Sequence, residues 1–406
     1  MNYNDILFKA LNDEHYFTND DLRVNLKYGY LLSNKDLNEY LRLKDDYETN
    51  LKEVLPLKAF NSSSIYYYKS FELLSYSNDY LKYIYNDMNN DCSIISDNYD
   101  EMILSRVASE LEGTLKIEGI NTTRKKILDI ISSKSITDNN EQIIYNMYEG
   151  YNFIKNKPSF NQENLFKLYN ILSYNSLKIK DMPKCFYRDD MVVVGGHDGC
   201  DVSLIKSCMD SLFTYVNNNL DKKSTFLPFI AHYYILYVHP YFDYNGRTAR
   251  MVSLWISILS GCDNILPIYN SEAINDDKAN YYKAIDNSRN SHNDLTYFLT
   301  YMYKLSNIYY TTYRNINEIK KKLALFGEAL SNTEIYYLKR IIIKRNQGWF
   351  NYKGFISFCN LDISKQGALK ILNRFLSQGI LISKINSKNE KVFKINDDFI
   401  EFEYRW

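Results

Sequence analysis

Apolar residues recur at helical spacing through most of the chain. Within 101–118 they stand at positions 103, 104, 107, 108, 111 and 115, which places them on one face of a helix. Gly119 follows as a residue able to end that helix, and Thr122-Thr123 is typical of a new helix start. The same spacing predicts further helices at about 123–134, 140–155, 163–173, 203–219, 225–238, 246–260, 271–289 and 293–312.

One short segment interrupts this helical pattern. Residues 191–194 read Met-Val-Val-Val, and the next five, Gly-Gly-His-Asp-Gly, are rich in turn formers. We predict a β-hairpin over about 190–201, with Val193 and Val194 before the turn and Gly195 and Gly196 in it. It is the one clear hairpin signal in the first 300 residues.

The C-terminal part of the chain has a different pattern. It predicts a helix over 331–345, a second helix over 364–377, and two strands at 381–385 and 391–395. This order is typical of a winged helix. The expected fold class is therefore mainly α, with the chain divided into a helical N-terminal region at 1–100, a helical core at 101–310 and a winged-helix domain at 325–406.

Composition agrees with a helical protein. The 406 residues include only 14 glycines and six prolines, so few positions favour turns or helix breaks. The 49 basic residues balance the 49 acidic ones, which does not favour non-specific binding to DNA or anionic membranes. No basic stretch followed by an apolar run opens the chain. We expect a cytoplasmic protein without a membrane partner.

The strongest chemical signal lies at 239–250. A helix beginning near Asn245 would direct its first N–H groups outward, and Gly246 would let an anion approach them closely. Arg247 and Arg250 stand three residues apart, on one side of the first turn, as two guanidinium groups suited to a polyphosphate.

Two further residues of this loop complete a reactive set. Asp243 is a carboxylate placed to hold Mg²⁺ beside bound phosphates, and His239 at the end of the preceding helix can accept a proton near neutral pH. A base, a metal ligand and an anion site within 12 residues indicate attack of a hydroxyl on a nucleotide phosphate.

The segment reads His-Pro-Tyr-Phe-Asp-Tyr-Asn-Gly-Arg-Thr-Ala-Arg, and it resembles the Fic family signature His-Pro-Phe-x-Asp/Glu-Gly-Asn-Gly-Arg-x-x-Arg. The resemblance implies an enzyme with a Fic helical core that transfers AMP from ATP to a hydroxyl of a target protein or of itself. The family's Doc branch, which phosphorylates instead, is similar but has Lys where this chain has Gly246.

The resemblance also implies a role for each matching residue. His239 would be the base, Asp243 would hold Mg²⁺ between the α- and β-phosphates, Asn245 and Gly246 would form the anion hole for the α-phosphate, and Arg247 and Arg250 would bind the β- and γ-phosphates. The hairpin at 190–201 resembles the family's flap, which aligns a target segment by strand addition. Tyr281 and Tyr282 resemble the pair that helps form the adenine pocket.

A second motif precedes the first. Thr114-Leu-Lys-Ile-Glu118-Gly119 resembles the family's inhibitory sequence Ser/Thr-x-x-x-Glu-Gly/Asn. Positions 114 and 118 are one helical turn apart and share a face. The resemblance implies that Glu118 pairs with Arg250 and occupies the arginine that should bind the γ-phosphate. Glu112-Gly113 fits less well, because Ala108 stands four residues upstream in place of Ser or Thr.

Two positions depart from the signature. Tyr241 replaces Phe, so a buried hydroxyl there needs a partner. Tyr244 replaces Gly, and if the backbone has a positive φ the substitution costs on the order of 1 kcal/mol. We expect the ring of Tyr244 to point out of the site.

Other functions stay open at this stage. The chain could be a DNA-binding regulator through its winged helix, with Lys365, Lys370 and Arg374 on the second helix and Lys384, Lys388 and Lys391 in the wing. The neutral net charge does not favour that alternative. UMP or another fragment could replace AMP, Glu118 could instead position water to remove AMP from a target, and a homo-oligomer is compatible with the sequence.

Overall fold

The computed structural model describes residues 42, 51–61, 64–90, 99–261, 271–344, 348–359 and 361–399. These residues form a mainly helical protein, as predicted. The short strands within these ranges are β1 (Lys52–Val54), β2 (Tyr66–Tyr68), β3 (Val193–Val194), β4 (His197–Asp198), β5 (Leu381–Ile385) and β6 (Lys391–Ile395).

The helices of the described ranges are α1 (Phe71–Asn90), α2 (Tyr99–Ile117), α3 (Arg124–Ser133), α4 (Asn139–Lys155), α5 (Gln162–Ser173), α6 (Val202–Asn217), α7 (Phe226–Val238), α8 (Asn245–Leu259), α9 (Ser271–Asp276), α10 (Lys278–Asn290), α11 (Thr296–Ala324), α12 (Asn332–Ile343), α13 (Tyr352–Cys359) and α14 (Lys365–Ser377). The chain divides into two compact units at residues 1–305 and 306–406. None of the helices in the described part is long and apolar enough to cross a membrane.

Helices α7 and α8 form the centre of the first unit. Eleven of the 13 residues of α7 and 13 of the 15 residues of α8 are buried. Helices buried on nearly every side must be enclosed by other elements, and these two helices pack against each other. The loop between them, 239–244, is therefore fixed at both of its ends.

Helix α2 crosses the short helix α9 at very close range. A Cβ atom on Gly113 would lie 2.7 Å from the Ser271 carbonyl oxygen and closer still to the Glu272 nitrogen, so only glycine permits this approach. Around the crossing, Ser109 Oγ donates to Glu272 Oε2 at 2.9 Å, and the Lys278 ammonium donates to the Ile117 carbonyl at the end of α2. The second half of α2 is thereby held in place.

The C-terminal unit has its own core. Buried residues of α12, α13 and α14 pack with those of the antiparallel pair β5–β6, whose register sets Leu381 against Ile395. Ser331 and Glu334 form a reciprocal capping box at the start of α12. Helix α13, which the sequence pattern did not predict, lies between the two predicted helices of this unit.

Other predicted boundaries also change. The helix expected over 271–289 is two helices with a break at Asp277, and α11 runs to Ala324 instead of 312. Strands β1 and β2 were not predicted. They form through a tertiary contact, since Tyr66 accepts from the Leu295 N–H at 2.7 Å. Of the helical N-terminal region predicted at 1–100, α1 is present, whereas residues 1–41, 43–50, 62–63 and 91–98 lie outside the described residues.

Replacing Gly113 with Ala should lower the free energy of unfolding by about 1–3 kcal/mol, because the new methyl group meets backbone that cannot rotate away. Gly150→Ala is the matched control. It is also a glycine inside a buried helix, but its Cβ would meet the Leu172 Cδ2 atom, 2.6 Å away, and that side chain can shift. Urea unfolding of both variants measures the difference. Equal losses would contradict the close crossing of α2 and α9.

Candidate functional site

His239 occupies the point where α7 ends. Its backbone adopts the left-handed conformation, with φ 53° and ψ 62°, and its N–H bonds to the Ile235 carbonyl at 2.9 Å. Pro240 has no N–H to continue the helix and disfavours the helical conformation of the residue before it. The chain therefore turns away from α7, and the imidazole stands half-buried at the start of the loop.

Arg188 ties this turn to the hairpin segment. Its Nε donates to the His239 carbonyl at 2.9 Å, and its own N–H bonds to the Pro240 carbonyl at 2.9 Å. Its other guanidinium nitrogens donate to the carbonyls of Asp190 and Cys200. A buried guanidinium thus binds three backbone carbonyls, those of His239, Asp190 and Cys200. In the sequence, only the position of Arg188 directly ahead of the hairpin pointed to this role.

The surroundings of His239 keep its ring neutral. Burial of the imidazole, with the positive charges of Arg188 and Arg289, lowers the pKa of His239 from 6.5 to about 4. At neutral pH the side chain can therefore accept a proton. A hydrogen bond with the Leu236 backbone opposes this lowering of the His239 pKa without reversing it.

The loop closes on itself before α8 begins. Asn245 Oδ1 accepts from the Tyr241 N–H at 3.0 Å, and Asn245 Nδ2 donates to the Tyr241 carbonyl at 2.8 Å. Both polar atoms of the Asn245 side chain thus bond within the loop. Its backbone N–H remains the group of this residue that can bind an anion. The first N–H groups of α8 have no partner within the helix, and the helix dipole adds positive potential there.

Tyr244 does not point out of the site, contrary to the sequence-based expectation. Its φ of 67° places it in the left-handed region, but its side chain is only 3% exposed. The hydroxyl lies 2.6 Å from Ser176 Oγ, and the ring lies 3.4 Å from the guanidinium carbon of Arg247. The ring turns inward because this stacking and the bond to Ser176 both lie on the buried side.

Arg247 is poised to bind an anion. The side chain is almost fully buried, its Nη2 lies 3.6 Å from Asp243 Oδ1, and its Nε has no hydrogen-bond partner in the described part of the chain. A buried charged donor without an acceptor is costly unless a ligand supplies one. Asp243 is more accessible, at 55% side-chain exposure, and its Oδ1 accepts from the Tyr244 N–H at 2.6 Å.

Arg250 is bound from the other side by α2. Its Nε donates to Thr114 Oγ1 at 2.6 Å, and its Nη2 donates to Glu118 Oε1 at 2.6 Å. The Glu118 carboxylate also lies against the start of α8, because a Cβ on Gly246 would be 2.8 Å from Glu118 Oε1. An internal carboxylate thus occupies part of the helix N-terminus that the sequence assigns to phosphate. Gly119, with φ 82°, turns the chain away directly afterwards.

The charges around Glu118 stabilise its ionised form. Burial alone would raise the pKa of Glu118, but the charge and hydrogen bond of Arg250, with Arg247 and Lys278, outweigh it and hold the pKa below its usual value. The side chain is still 27% exposed, so the ion pair is accessible at its edge. Glu112 does not take part, since it pairs with Lys116 and Arg124.

The two predicted adenine-site tyrosines differ in their surroundings. Tyr281 is fully buried, and its hydroxyl lies 2.8 Å from His232 Nε2. Tyr282 is 45% exposed, and the Lys278 ammonium lies 5.9 Å from its ring centre. Only Tyr282 therefore offers a ring surface to a ligand, while Tyr281 and His232 pack behind Arg250. The sequence did not indicate His232 or Lys278 as part of this site.

The hairpin is shorter than predicted, with two residues in each strand. Gly195 and Gly196 form its turn with φ angles of 59° and 82°, and Val193 is 72% exposed. Arg289 Nη1 donates to the Val194 carbonyl at 3.4 Å, which joins the hairpin to α10. The strand that carries Val193 and Val194 is thus held near the site.

Tyr241 leaves a polar group without a partner. Its ring is fully buried and stacks on Tyr169 with centroids 3.7 Å apart, and its hydroxyl has no hydrogen bond among the described residues. The hydrogen-bond partner that we expected for the Tyr241 hydroxyl is thus not found among these residues.

Residues 159–257 match the Fic/DOC family model. The matched range contains the hairpin, His239 and the first turns of α8, whereas Glu118 lies before it. No curated protein sequence matches the chain.

The fold is similar to that of a Fic family protein from Desulfovibrio desulfuricans G20, with 13% identity over 84% of this chain and 99% of that chain and a TM-score of 0.52. Fic-1 from C. elegans is 18% identical over 60% of this chain and 70% of that chain, with a TM-score of 0.44. A Fic domain containing signaling protein from Bacteroides thetaiotaomicron VPI-5482 is 16% identical over 59% of this chain and 94% of that chain, with a TM-score of 0.42. The first of these shows a shared fold.

The contact between Tyr244 and Ser176 should stabilise the loop measurably. Tyr244→Phe and Ser176→Ala each remove the same hydroxyl–hydroxyl bond, so we expect a coupling of about 0.5–1.5 kcal/mol in a double-mutant cycle of urea unfolding. The cycle corrects for the second contact of Ser176, with Asn146 Nδ2 at 3.3 Å. Strictly additive losses would show that the bond contributes nothing.

Proposed function

We propose that this protein, which contains a Fic/DOC domain, transfers AMP from ATP to a hydroxyl side chain of a target protein and is restrained by Glu118. The observation that carries the proposal is the α7–α8 loop. It places a neutral histidine beside a helix N-terminus that carries two buried arginines, one of them with an unpartnered Nε atom.

The histidine supplies the proton acceptor. In the proposed reaction the target oxygen bonds to the α-phosphorus, the α–β phosphoanhydride bond breaks, and pyrophosphate leaves with the electron pair of that bond. The proton of the attacking hydroxyl moves to the imidazole of His239. Arg188 fixes the His239 backbone, so the ring meets the incoming hydroxyl in one orientation.

The helix start and its arginines would bind the phosphates. The backbone N–H groups of Asn245, Gly246 and Arg247 carry the positive end of the α8 dipole, a favourable environment for the α-phosphate. Arg247, stacked on Tyr244, presents a pre-oriented guanidinium to the next phosphate. Arg250 would reach the γ-phosphate once Glu118 has left it.

The donor set near this loop fits Mg²⁺. Within the described ranges there is no group of three or more His, Cys, Asp and Glu side chains able to hold a metal ion. Asp243 is a single accessible carboxylate, and Mg²⁺ typically takes one or two carboxylates together with phosphate oxygens and water. We expect Asp243 to hold the ion, which would neutralise phosphate charge during transfer.

Glu118 would act as the brake. Its carboxylate satisfies the guanidinium of Arg250 and lies against Gly246, so the γ-phosphate of ATP and this carboxylate compete for the same positive charge. ATP that binds without reaching Arg250 would be misplaced for in-line attack. Two acceptors, Thr114 on α2 and Glu118 directly after it, make this contact with Arg250 specific.

The exposed β3 strand would receive the target. Val193 and Val194 lie in a two-residue strand whose backbone can pair with an extended segment of another chain. Such pairing presents a hydroxyl without reading the target's sequence, so self-modification is compatible with it.

Removing the base, His239, should abolish transfer. The fall of kcat/KM at acid pH should report the pKa of this base. His239→Ala should lose label transfer from α-labelled ATP. In the unaltered protein, kcat/KM should stay high at about pH 5.5 and fall only near pH 4, because the imidazole becomes protonated at about 4 and not at 6.5.

The control for this profile is a test of whether the protein stays folded at each pH. His232 and His239 both have lowered pKa values, so the unfolded chain takes up protons first and stability falls as the pH drops below about 6.5. Far-UV circular dichroism at each pH separates unfolding from loss of the base. An activity limb near pH 6.5 in a folded protein would contradict the assignment of His239.

Removing the brake should raise transfer. Glu118→Ala deletes a charge-assisted hydrogen bond worth about 1.5–3 kcal/mol, so we expect an increase of about 10–100-fold. Glu112→Ala is the matched control, since this glutamate of the same segment pairs with Lys116 and Arg124 instead.

The readout is intact mass after incubation with Mg²⁺ and each nucleoside triphosphate in turn. It reports the transferred group and any self-modification together. Equal rates for Glu118→Ala and Glu112→Ala would overturn the brake while leaving the transferase proposal standing. A mass increment of a phosphate alone would overturn AMP transfer.

A further inference from the structure

Charge is divided unevenly between the two compact units. Residues 306–406 contain 17 lysines and arginines against nine aspartates and glutamates, whereas residues 1–305 contain 32 against 40. The zero net charge of the whole chain therefore conceals a basic C-terminal unit. A basic excess within one domain is the electrostatic signature of nucleic-acid binding.

The exposed side of helix α14 carries a stripe of polar residues, of which one is basic and the others are uncharged. Ala368, Leu372 and Phe375 are buried in the unit's core. The opposite face carries four exposed residues, Gln366, Lys370, Asn373 and Ser377. They follow one another at intervals of four, three and four residues, which places them on one side of the helix. Amide and amino side chains of this kind form paired hydrogen bonds with the base edges of duplex DNA.

The β5–β6 hairpin extends this stripe. Lys391 Nζ donates to Asn373 Oδ1 at 3.0 Å, so the start of β6 lies directly beside the exposed face of α14. Lys388 is exposed at the tip of the same hairpin. Lys384 points to the other face of the hairpin, because it pairs with Val392, and its ammonium lies 4.3 Å from the centre of the Trp349 ring. We call six residues the basic face: Gln366, Lys370, Asn373, Ser377, Lys388 and Lys391.

Arg374 does not belong to the basic face. The sequence placed it among the candidate phosphate contacts, but its guanidinium forms an ion pair with Glu334 of α12. It therefore holds α14 to α12 and orients the stripe. The lysines of the basic face have no comparable carboxylate partner among the ion pairs of the described residues.

We propose that the basic face binds duplex DNA, with α14 in the major groove and the β5–β6 hairpin against neighbouring phosphates. A helix with its side chains is about 10–12 Å wide, and the major groove of B-DNA is about 12 Å wide. The 13 residues of α14 span about 20 Å, enough to cross the groove. Duplex RNA does not fit this geometry, because its major groove is too narrow for side chains to read.

The test uses the full chain and a fluorescein-labelled mixed-sequence DNA duplex of about 25 base pairs, read by fluorescence anisotropy. Binding should be present at about 50 mM salt and weaken steeply toward about 200 mM, because phosphate contacts release counterions. Lys370→Glu and Lys388→Glu should each weaken binding about tenfold or more and reduce the salt slope by about one.

Lys320→Glu is the matched control. It makes the same charge change at an exposed lysine of the same unit, on α11 and outside the basic face, and it should change affinity by no more than about twofold. Circular dichroism verifies that each variant is folded.

Three results would overturn the proposal. They are an absence of salt-dependent binding by the folded full chain, an equal loss in Lys320→Glu and Lys370→Glu, or equal affinity for an RNA duplex of the same length. The last two would indicate general attraction to polyanions. The proposal does not depend on the transferase activity, because it concerns residues of the C-terminal unit alone.

Discussion

The buried guanidinium of Arg250 is the constraint on which the first unit depends. It is 3% exposed, and a charge removed from water is tolerated only when acceptors surround it. Thr114 and Glu118 of the α2 segment provide those acceptors, so the requirement of one arginine on α8 fixes where α2 must lie. The close crossing at Gly113 and the bond from Lys278 to Ile117 secure that position from a second direction.

The same requirement links structure to the proposed regulation. A guanidinium that needs an anionic partner accepts either a carboxylate of its own chain or a phosphate of a ligand, and the two bind by the same charge-assisted hydrogen bonds. In the structure, Glu118 is the anion that Arg250 holds. Regulation in this view requires no separate domain, since displacing one side chain changes which anion Arg250 holds.

The loop between α7 and α8 shows how strain is maintained at such a site. Both His239 and Tyr244 have left-handed backbone conformations, which side chains with a Cβ atom rarely adopt. The strain persists because the surroundings fix the loop more than once. Arg188 binds the carbonyl of His239, Asn245 bonds twice to Tyr241, and the ring of Tyr244 is enclosed by Ser176 and Arg247.

Sequence alone determined the mainly helical fold and the order of chemical groups from His239 to Arg250, because helical periodicity and motif spacing are local properties. The resemblance of its motifs to those of the Fic family also implied that Glu118 pairs with Arg250. Only the tertiary structure decided what depends on residues distant in sequence. Strands β1 and β2 form against the backbone near Leu295, Tyr244 turns inward onto Arg247, and Tyr281 is enclosed with His232 while Tyr282 stays exposed. These outcomes follow from burial and from contacts between separate segments, which no local pattern in the chain encodes.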